Sequence, residues 1–324
     1  MVYSLLKIYA RLAIKIYCPK IIINKPEVLK SKGPLLLAAN HPNSFLDGLI
    51  LTTLFDQPVY SLARGDAFRE GLVKKILLWL KQLPVYRTSE GAENLQQNYS
   101  TFEACRKIFN KDGIAIIFSE AACVNEWRLR PLRKGTARLA ISSWQQGIAL
   151  KVLPVGLNYN CFKSFGKQVH IYFGDMIGPD DILKEESSGR QLLLFNQALH
   201  GQLEEYVYEE DGDDTAAVLN KFSHKTSLLK TVRLAVPAFA GVLLHLPLFL
   251  PVKLFMQLCF KKSDHYDSIM TALLMLLYPL YILLVMLLLF YFVGYWSFVC
   301  LLVLPLTARC WTELKISASI FNKP

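Results

Sequence analysis

Pro34-Leu-Leu-Leu-Ala-Ala-Asn-His-Pro-Asn-Ser-Phe-Leu-Asp-Gly48 decides how the chain is read. Five apolar residues in a row, closed by a polar turn, predict a short strand buried on both faces of a sheet. Pro42 biases the residue before it away from helical angles, so His41 belongs to the loop, and Asp47 to the first turn of the helix that follows. In α/β sheets the loop leaving a strand for a helix is where catalytic groups gather. An imidazole and a carboxylate thus face each other across a loop–helix corner.

The same alternation continues outward. Val59–Ala63, Ile114–Phe118, Val152–Leu157 and Val169–Phe173 repeat the buried-strand pattern. Helical spacing recurs near 44–55, 67–81, 92–110, 134–146 and 188–208, as in Leu95, Tyr99, Phe102 and Phe109. Strands alternating with helices predict an α/β sheet covered on both faces.

The two ends differ from this middle. Near the N-terminus Lys7, Arg11 and Lys15 recur every four residues among Leu5, Leu6, Ile8, Leu12, Ile14 and Ile16. A helix there carries one basic stripe on an apolar body, which fits a membrane interface or burial against the protein's own core. The interruption by charge argues against a secretory signal. Beyond Lys230, Leu234–Phe260 and Ile269–Ala308 are almost uncharged. Ile269–Phe290 exceeds the roughly 20 residues that span a hydrocarbon core, and Gly294 suits a turn before a return. Pro237, Pro247, Pro251 and Lys253 make a broken or re-entrant hairpin the expectation for the first stretch. Arg233, Lys261, Lys262, Arg309 and Lys315 flank these segments, and the positive-inside tendency then puts the α/β part in the cytoplasm, at the cytoplasmic or an internal membrane.

Composition agrees: of 324 residues 53% are hydrophobic, the formal charge is +10, and the mean hydropathy is +0.29. A basic, apolar chain without a nucleic-acid motif points to lipid surfaces and phosphorylated substrates, with no nucleic acid among its partners. Seven scattered cysteines without CxxC spacing imply neither a disulfide framework nor a zinc site. No histidine has metal-ligand spacing, so no metal or other cofactor is expected. The acidic run Glu209–Asp214 is read as solvated surface at the edge of the α/β part.

A neutral histidine held by a carboxylate is suited to take a proton from an alcohol, because the carboxylate fixes the tautomer and stabilises the imidazolium. The same residues also fit a capping box Ser44-x-x-Asp47 beside a satisfied loop histidine. Arg64, Arg87, Arg128, Arg130, Arg133 and Lys134 fall in or beside the loops that frame His41. A guanidinium fork matches phosphate, which favours Arg87 and Arg133 for direct contact. Cys123, close behind Glu120, lacks the partners of a nucleophilic cysteine.

Asn40–Gly48 resembles the first motif of the glycerolipid acyltransferases, the glycerol-3-phosphate and 1-acylglycerol-3-phosphate acyltransferase family. Gln82-Leu-Pro-Val-Tyr-Arg87 resembles its second motif, Phe118-Ser-Glu-Ala121 its third, and Val152-Leu-Pro-Val155 its fourth. Arg133-Lys-Gly-Thr-Ala-Arg138 is similar to the basic segment after the third, and the likeness spans about residues 30–180. The resemblance implies a mixed sheet flanked by helices, His41 as general base, Asp47 as its orienting partner, and Arg87 and Glu120 on the phosphorylated acceptor. Arg64, Arg133 and Lys134 join them as substrate-binding candidates. It also implies an acyl-CoA or acyl carrier protein thioester as donor and glycerol-3-phosphate or a lysophosphatidate as acceptor.

Two positions depart from the family. Five residues separate His41 from Asp47 instead of four, a variant similar to some members acting at the sn-1 position. Ser119-Glu-Ala121 replaces Pro-Glu-Gly, which threatens a backbone conformation open to glycine and keeps acylation of another amphiphile, such as a lyso-aminolipid, in play. A non-catalytic membrane-binding protein or a transporter is the other rival, although Ile269–Phe290 lacks the ionisable residues a transporter wants. The resulting division is 1–29 for the amphipathic helix and lead-in, 30–215 for the catalytic part, and 216–324 for the membrane region.

Overall fold

The computed structural model describes residues 2–68, 71–86, 92–210, 215–222 and 227–321. Its centre is a seven-stranded sheet in the order β1-β7-β6-β2-β5-β3-β4. The strands are β1 (Lys20–Ile23), β2 (Leu35–Ala39), β3 (Val59–Arg64), β4 (Gln82–Val85), β5 (Ile114–Phe118), β6 (Lys151–Tyr159) and β7 (Gln168–Phe173). All neighbours pair in parallel except β6 with β7, so the sheet is mixed, as expected. β1 falls where the sequence suggests only a lead-in; its Lys20-Ile-Ile-Ile23 run is short, and it is a strand because β7 offers it an edge.

The helices are α1 (Val2–Tyr17), α2 (Phe45–Leu54), α3 (Leu72–Trp79), α4 (Ala92–Phe109), α5 (Lys134–Gln145), α6 (Ser188–Tyr206), α7 (Thr215–Lys221), α8 (Leu228–Cys259), α9 (Tyr266–Val293) and α10 (Cys300–Phe321). β2 shows why the sheet is covered on both sides. Its residues alternate between cores: Leu35, Leu37 and Ala39 join Ile50 of α2 and Ile14 of α1, while Leu36 and Ala38 join Phe109 of α4, Leu139 of α5 and Phe195 of α6. A side-chain period of two delivers alternate residues to opposite faces.

Two residues of the basic stripe of α1, Lys7 and Arg11, are engaged with the end of α2. The Lys7 Nζ donates to the carbonyls of Phe55, Asp56 and Gln57, and the Arg11 Nε donates to the Thr53 carbonyl at 2.8 Å. The last carbonyls of α2 have no partner within their own helix, and cations there also meet the negative end of its dipole. Ala10, Ile14 and Tyr17 are buried, which leaves Leu5, Ile8 and Leu12 as the exposed apolar face.

A correction concerns α8. It is one helix through Pro237, Pro247 and Pro251, not a hairpin. Gly241 lets it approach α10 closely, since a Cβ there would lie 2.3 Å from the Thr307 carbonyl oxygen. The later part of α8 turns inward, and Val252 and Met256 are buried with Tyr266 and Met270 in the same core as Leu37 and Val155. Residues on both sides of position 216 therefore share one core. Gly294, at φ +56°, ends α9 where a turn is expected. The two stretches Leu229–Cys259 and Tyr266–Ile316 are long and apolar enough to cross a membrane. From Leu280 to Leu306 the chain exposes a nearly continuous series of apolar residues.

His170, on β7, is structural. Gln168 Nε2 donates to its Nε2 at 2.8 Å, its Nδ1–H donates to the Tyr208 hydroxyl at 2.7 Å, and Phe222 covers the ring. Burial, with the nearby Lys20 charge, pushes its pKa down to about 4. The unfolded chain binds a proton near 6.5 and the folded one does not until about 4, so stability rises with pH between those values and is lost as pH falls through them. His170→Gln should flatten the dependence of thermal midpoint on pH between about 4 and 6.5; an unchanged slope would acquit His170.

Candidate active site

The carboxyl ends of the parallel strands β2, β3, β4 and β5 converge on one edge of the sheet. His41 follows β2, Arg64 ends β3, Tyr86 follows β4, and Ser119-Glu-Ala121 follows β5. All of these line a single cavity of about 1470 Å³, with Arg133, Lys134 and Thr136 from the first turn of α5.

The His41 Nδ1 lies 2.9 Å from the Asp47 Oδ2. Asp47 is fully buried and accepts two further hydrogen bonds, from the Asn43 N–H at 2.8 Å and from the Tyr159 hydroxyl at 2.7 Å. A buried carboxylate with three donors is held in place. Tyr159 stays a donor, because burial and the Asp47 charge push its pKa well above the usual value. With Nδ1–H turned to Asp47, the Nε2 carries the lone pair, and it has no hydrogen-bond partner among the described residues. The ring stacks on Phe118 at 3.8 Å between centroids, which fixes its plane. The capping-box alternative fails on geometry: Ser44 makes no side-chain cap, and Asp47 spends its carboxylate on His41, Asn43 and Tyr159.

The loop is tied down from several sides. Asn40 spans to Leu157, donating to its carbonyl and accepting from its N–H. Asn125 donates to the Pro42 carbonyl at 2.7 Å. Glu120, 5% exposed, accepts from the His41 N–H at 2.8 Å through Oε2 and from the Arg130 N–H at 2.9 Å through Oε1. Both of its oxygens are thus engaged with backbone, and burial raises its pKa despite those two donors. This places Glu120 as a staple between the His41 loop and the loop before α5, rather than as a free ligand group.

Arg64 is exposed and paired with Asp66, while Arg133 and Lys134 open α5. The N–H groups of a first helical turn lack partners within the helix, so two cations and a helix N-terminus share one wall of the cavity. Arg87 lies outside the described residues; Tyr86 before it lines the cavity. Ala121 keeps the left-handed conformation, at φ +55°, that its replacement of glycine threatened. An L-residue pays roughly 1–2 kcal/mol there. Ser119 accepts a hydrogen bond from the Thr136 hydroxyl at 3.0 Å, adding polar lining. Cys123 also lines the cavity, and burial pushes its thiol up to about 12, so it is a weak nucleophile at neutral pH. Leu6 and Ala10 of α1 with Phe45 and Leu49 of α2 add apolar lining to the same cavity.

Sequence reasoning missed Tyr159, the Asn43 N–H, Asp267 and Ser268. Tyr159 had one available signal, a polar-tipped aromatic at the end of a strand buried on both faces. Nothing in the local pattern connects residues 267–268 to residue 43.

The model of a family described as Acyltransferase matches residues 20–158. No curated protein matches the chain. A solved structure similar to it is that of the 1-acyl-sn-glycerophosphate (LPA) acyltransferase PlsC from Thermotoga maritima. That match has 12% identity and a TM-score of 0.46, and covers 70% of this chain and 82% of that one.

Proposed function

We propose that this chain, whose residues 20–158 match the model of the Acyltransferase family, moves an acyl group from an acyl-CoA or acyl carrier protein thioester to a hydroxyl of glycerol-3-phosphate or a lysophosphatidate. One observation carries the reading: a His41–Asp47 pair opens on a cavity lined both by a cationic helix N-terminus and by apolar side chains. The acceptor hydroxyl gives its proton to the His41 Nε2 as its oxygen attacks the thioester carbonyl. The resulting imidazolium stays paired with Asp47. As the tetrahedral intermediate collapses, the C–S bond breaks and the proton passes to the departing thiolate, so His41 ends neutral. No enzyme nucleophile is needed.

In this reading Arg133, Lys134, Arg87 and the first turn of α5 hold the acceptor's phosphate, with Arg64 nearby. The acyl chain lies along Leu6, Ala10, Phe45 and Leu49. The apolar stretch from Leu280 to Leu306 enters the bilayer, and the sheet faces the cytoplasm, where the thioester donors are. Basic flanks support that placement, since Lys315 donates to the Phe165 carbonyl and Lys163 to the Lys261 carbonyl, both beside the sheet. The Ser119–Thr136 hydroxyl pair favours a second acceptor class, a phosphate-free lysolipid acylated by the same histidine.

Purified protein in lipid vesicles, offered labelled acyl thioester with glycerol-3-phosphate, lysophosphatidate or a lyso-aminolipid, tests the proposal. Arg133→Ala and Arg87→Ala should raise the KM of the phosphorylated acceptor far more than that of the donor, by a factor of about 10 or more for a charge-assisted contact of roughly 1.5–3 kcal/mol. Lysine at either position should recover only part of the loss, because an ammonium lacks the planar fork. Equal losses with phosphate-free acceptors would transfer the assignment to the aminolipid class.

A further inference from the structure

The entry of α9 is buried against the catalytic loop. Asp267 and Lys167 are both fully buried and form an ion pair. Asp267 also accepts from the Tyr17 hydroxyl at 3.0 Å through Oδ1 and from the Asn43 Nδ2 at 3.0 Å through Oδ2. Lys167 further donates to the Cys161 carbonyl at 3.0 Å. Ser268 Oγ donates to the Asn43 carbonyl at 3.1 Å and accepts from the Leu46 N–H at 3.2 Å. His265 is hydrogen-bonded to the Ser44 hydroxyl at 2.8 Å.

Asn43 is the link. Its N–H holds Asp47, its amide holds Asp267, and its carbonyl accepts from Ser268. Among the described residues the amide's Oδ1 is buried with no hydrogen-bond partner, and the side chain is held through its Nδ2 by Asp267. Ser44, next in the chain, has φ +52° and ψ −132°, a backbone conformation that costs a non-glycine residue on the order of 1–3 kcal/mol. Such strain persists only where the surroundings over-determine it, and His265 and Ser268, bonded to Ser44 and to its neighbours Asn43 and Leu46, are part of those surroundings.

We infer that Asp267, supported by Lys167, and Ser268 are positioning residues for the reaction: through Asn43 they set the loop geometry that holds Asp47 against His41. The first turn of an apolar C-terminal helix, some 220 residues away in sequence, thereby completes the active site. A buried ion pair is a poor source of net stability, yet it fixes a single arrangement of the groups around it, which is the use made of it here. The inference rests on the proposed role of the His41–Asp47 pair.

The test uses the full-length protein in vesicles. Ser268→Ala removes one hydroxyl, and Asn43→Ala keeps the N–H to Asp47 while releasing Asp267. Each should lower kcat about 10- to 100-fold, the scale of a misplaced catalytic group, with the KM of both substrates within about twofold. In an Asp47→Asn background neither change should cost anything further, because both act through Asp47. Lys167→Met with Asp267→Asn, which removes both charges but keeps an oxygen for Asn43, should retain more activity than Lys167→Met with Asp267→Leu. Normal kcat in Ser268→Ala and Asn43→Ala, with His41→Ala inactive, would overturn this inference and leave the catalytic pair standing. An active His41→Ala would overturn the pair itself. Losses that add fully in the Asp47→Asn background, or that track only a falling thermal midpoint, would make the cluster purely structural.

Discussion

Replacing His41 by alanine should reduce acyl transfer about 10²–10⁴-fold while the protein stays folded and membrane-bound, because removal of a general base costs that much. The fold should tolerate the change. The ring is only partly buried, its backbone N–H still reaches Glu120, and its loss leaves Asp47 with two of its three donors, Asn43 and Tyr159. Phe118 then faces a small void instead of a stacked ring. The measurement is turnover at saturating donor and acceptor, with thermal midpoint recorded on the same preparation. Near-normal turnover with any accepted lipid would remove His41 from the chemistry.

Ending the chain after Lys221 should abolish both folding and activity, instead of leaving a catalytic domain that binds vesicles through residues 3–17. Truncation there strips Val252, Met256, Tyr266 and Met270 from the core that holds Leu37 and Val155. Each lost large apolar side chain is worth about 2–5 kcal/mol, so four of them rival the whole stability of a domain. It also leaves Lys167 fully buried without Asp267, an unpaired charge costing roughly 3–5 kcal/mol more. Expression of residues 1–221 should give aggregated protein or none. A soluble, monomeric fragment with a cooperative melt would show that the C-terminal helices are dispensable to the fold.

The basic stripe of α1 shows what composition leaves open about surfaces. Lys7, Arg11 and Lys15 among apolar residues fit anionic headgroups equally well, but the carbonyl end of α2 lies within reach and takes Lys7 and Arg11, leaving Lys15 exposed. Pro237, Pro247 and Pro251 show the same for breaks: each removes a hydrogen bond from α8, and packing against α10 and α9 keeps the helix continuous. Ala121 shows it for backbone, holding φ +55° without glycine because the loops around Glu120 are fixed at both carboxylate oxygens.

By itself the sequence determined the alternating sheet, the loop position of His41, the helical position of Asp47 and the apolar C-terminal third, because all of these follow from short-range periodicity and from proline's local geometry. Tertiary structure alone decided that Tyr159 and Asn43 hold Asp47, that Glu120 staples backbone, and that Asp267 and Ser268 reach the catalytic loop. Those contacts join residues tens to hundreds of positions apart. No periodicity encodes them, because a buried polar atom takes whatever donor the packed fold brings within about 3 Å of it.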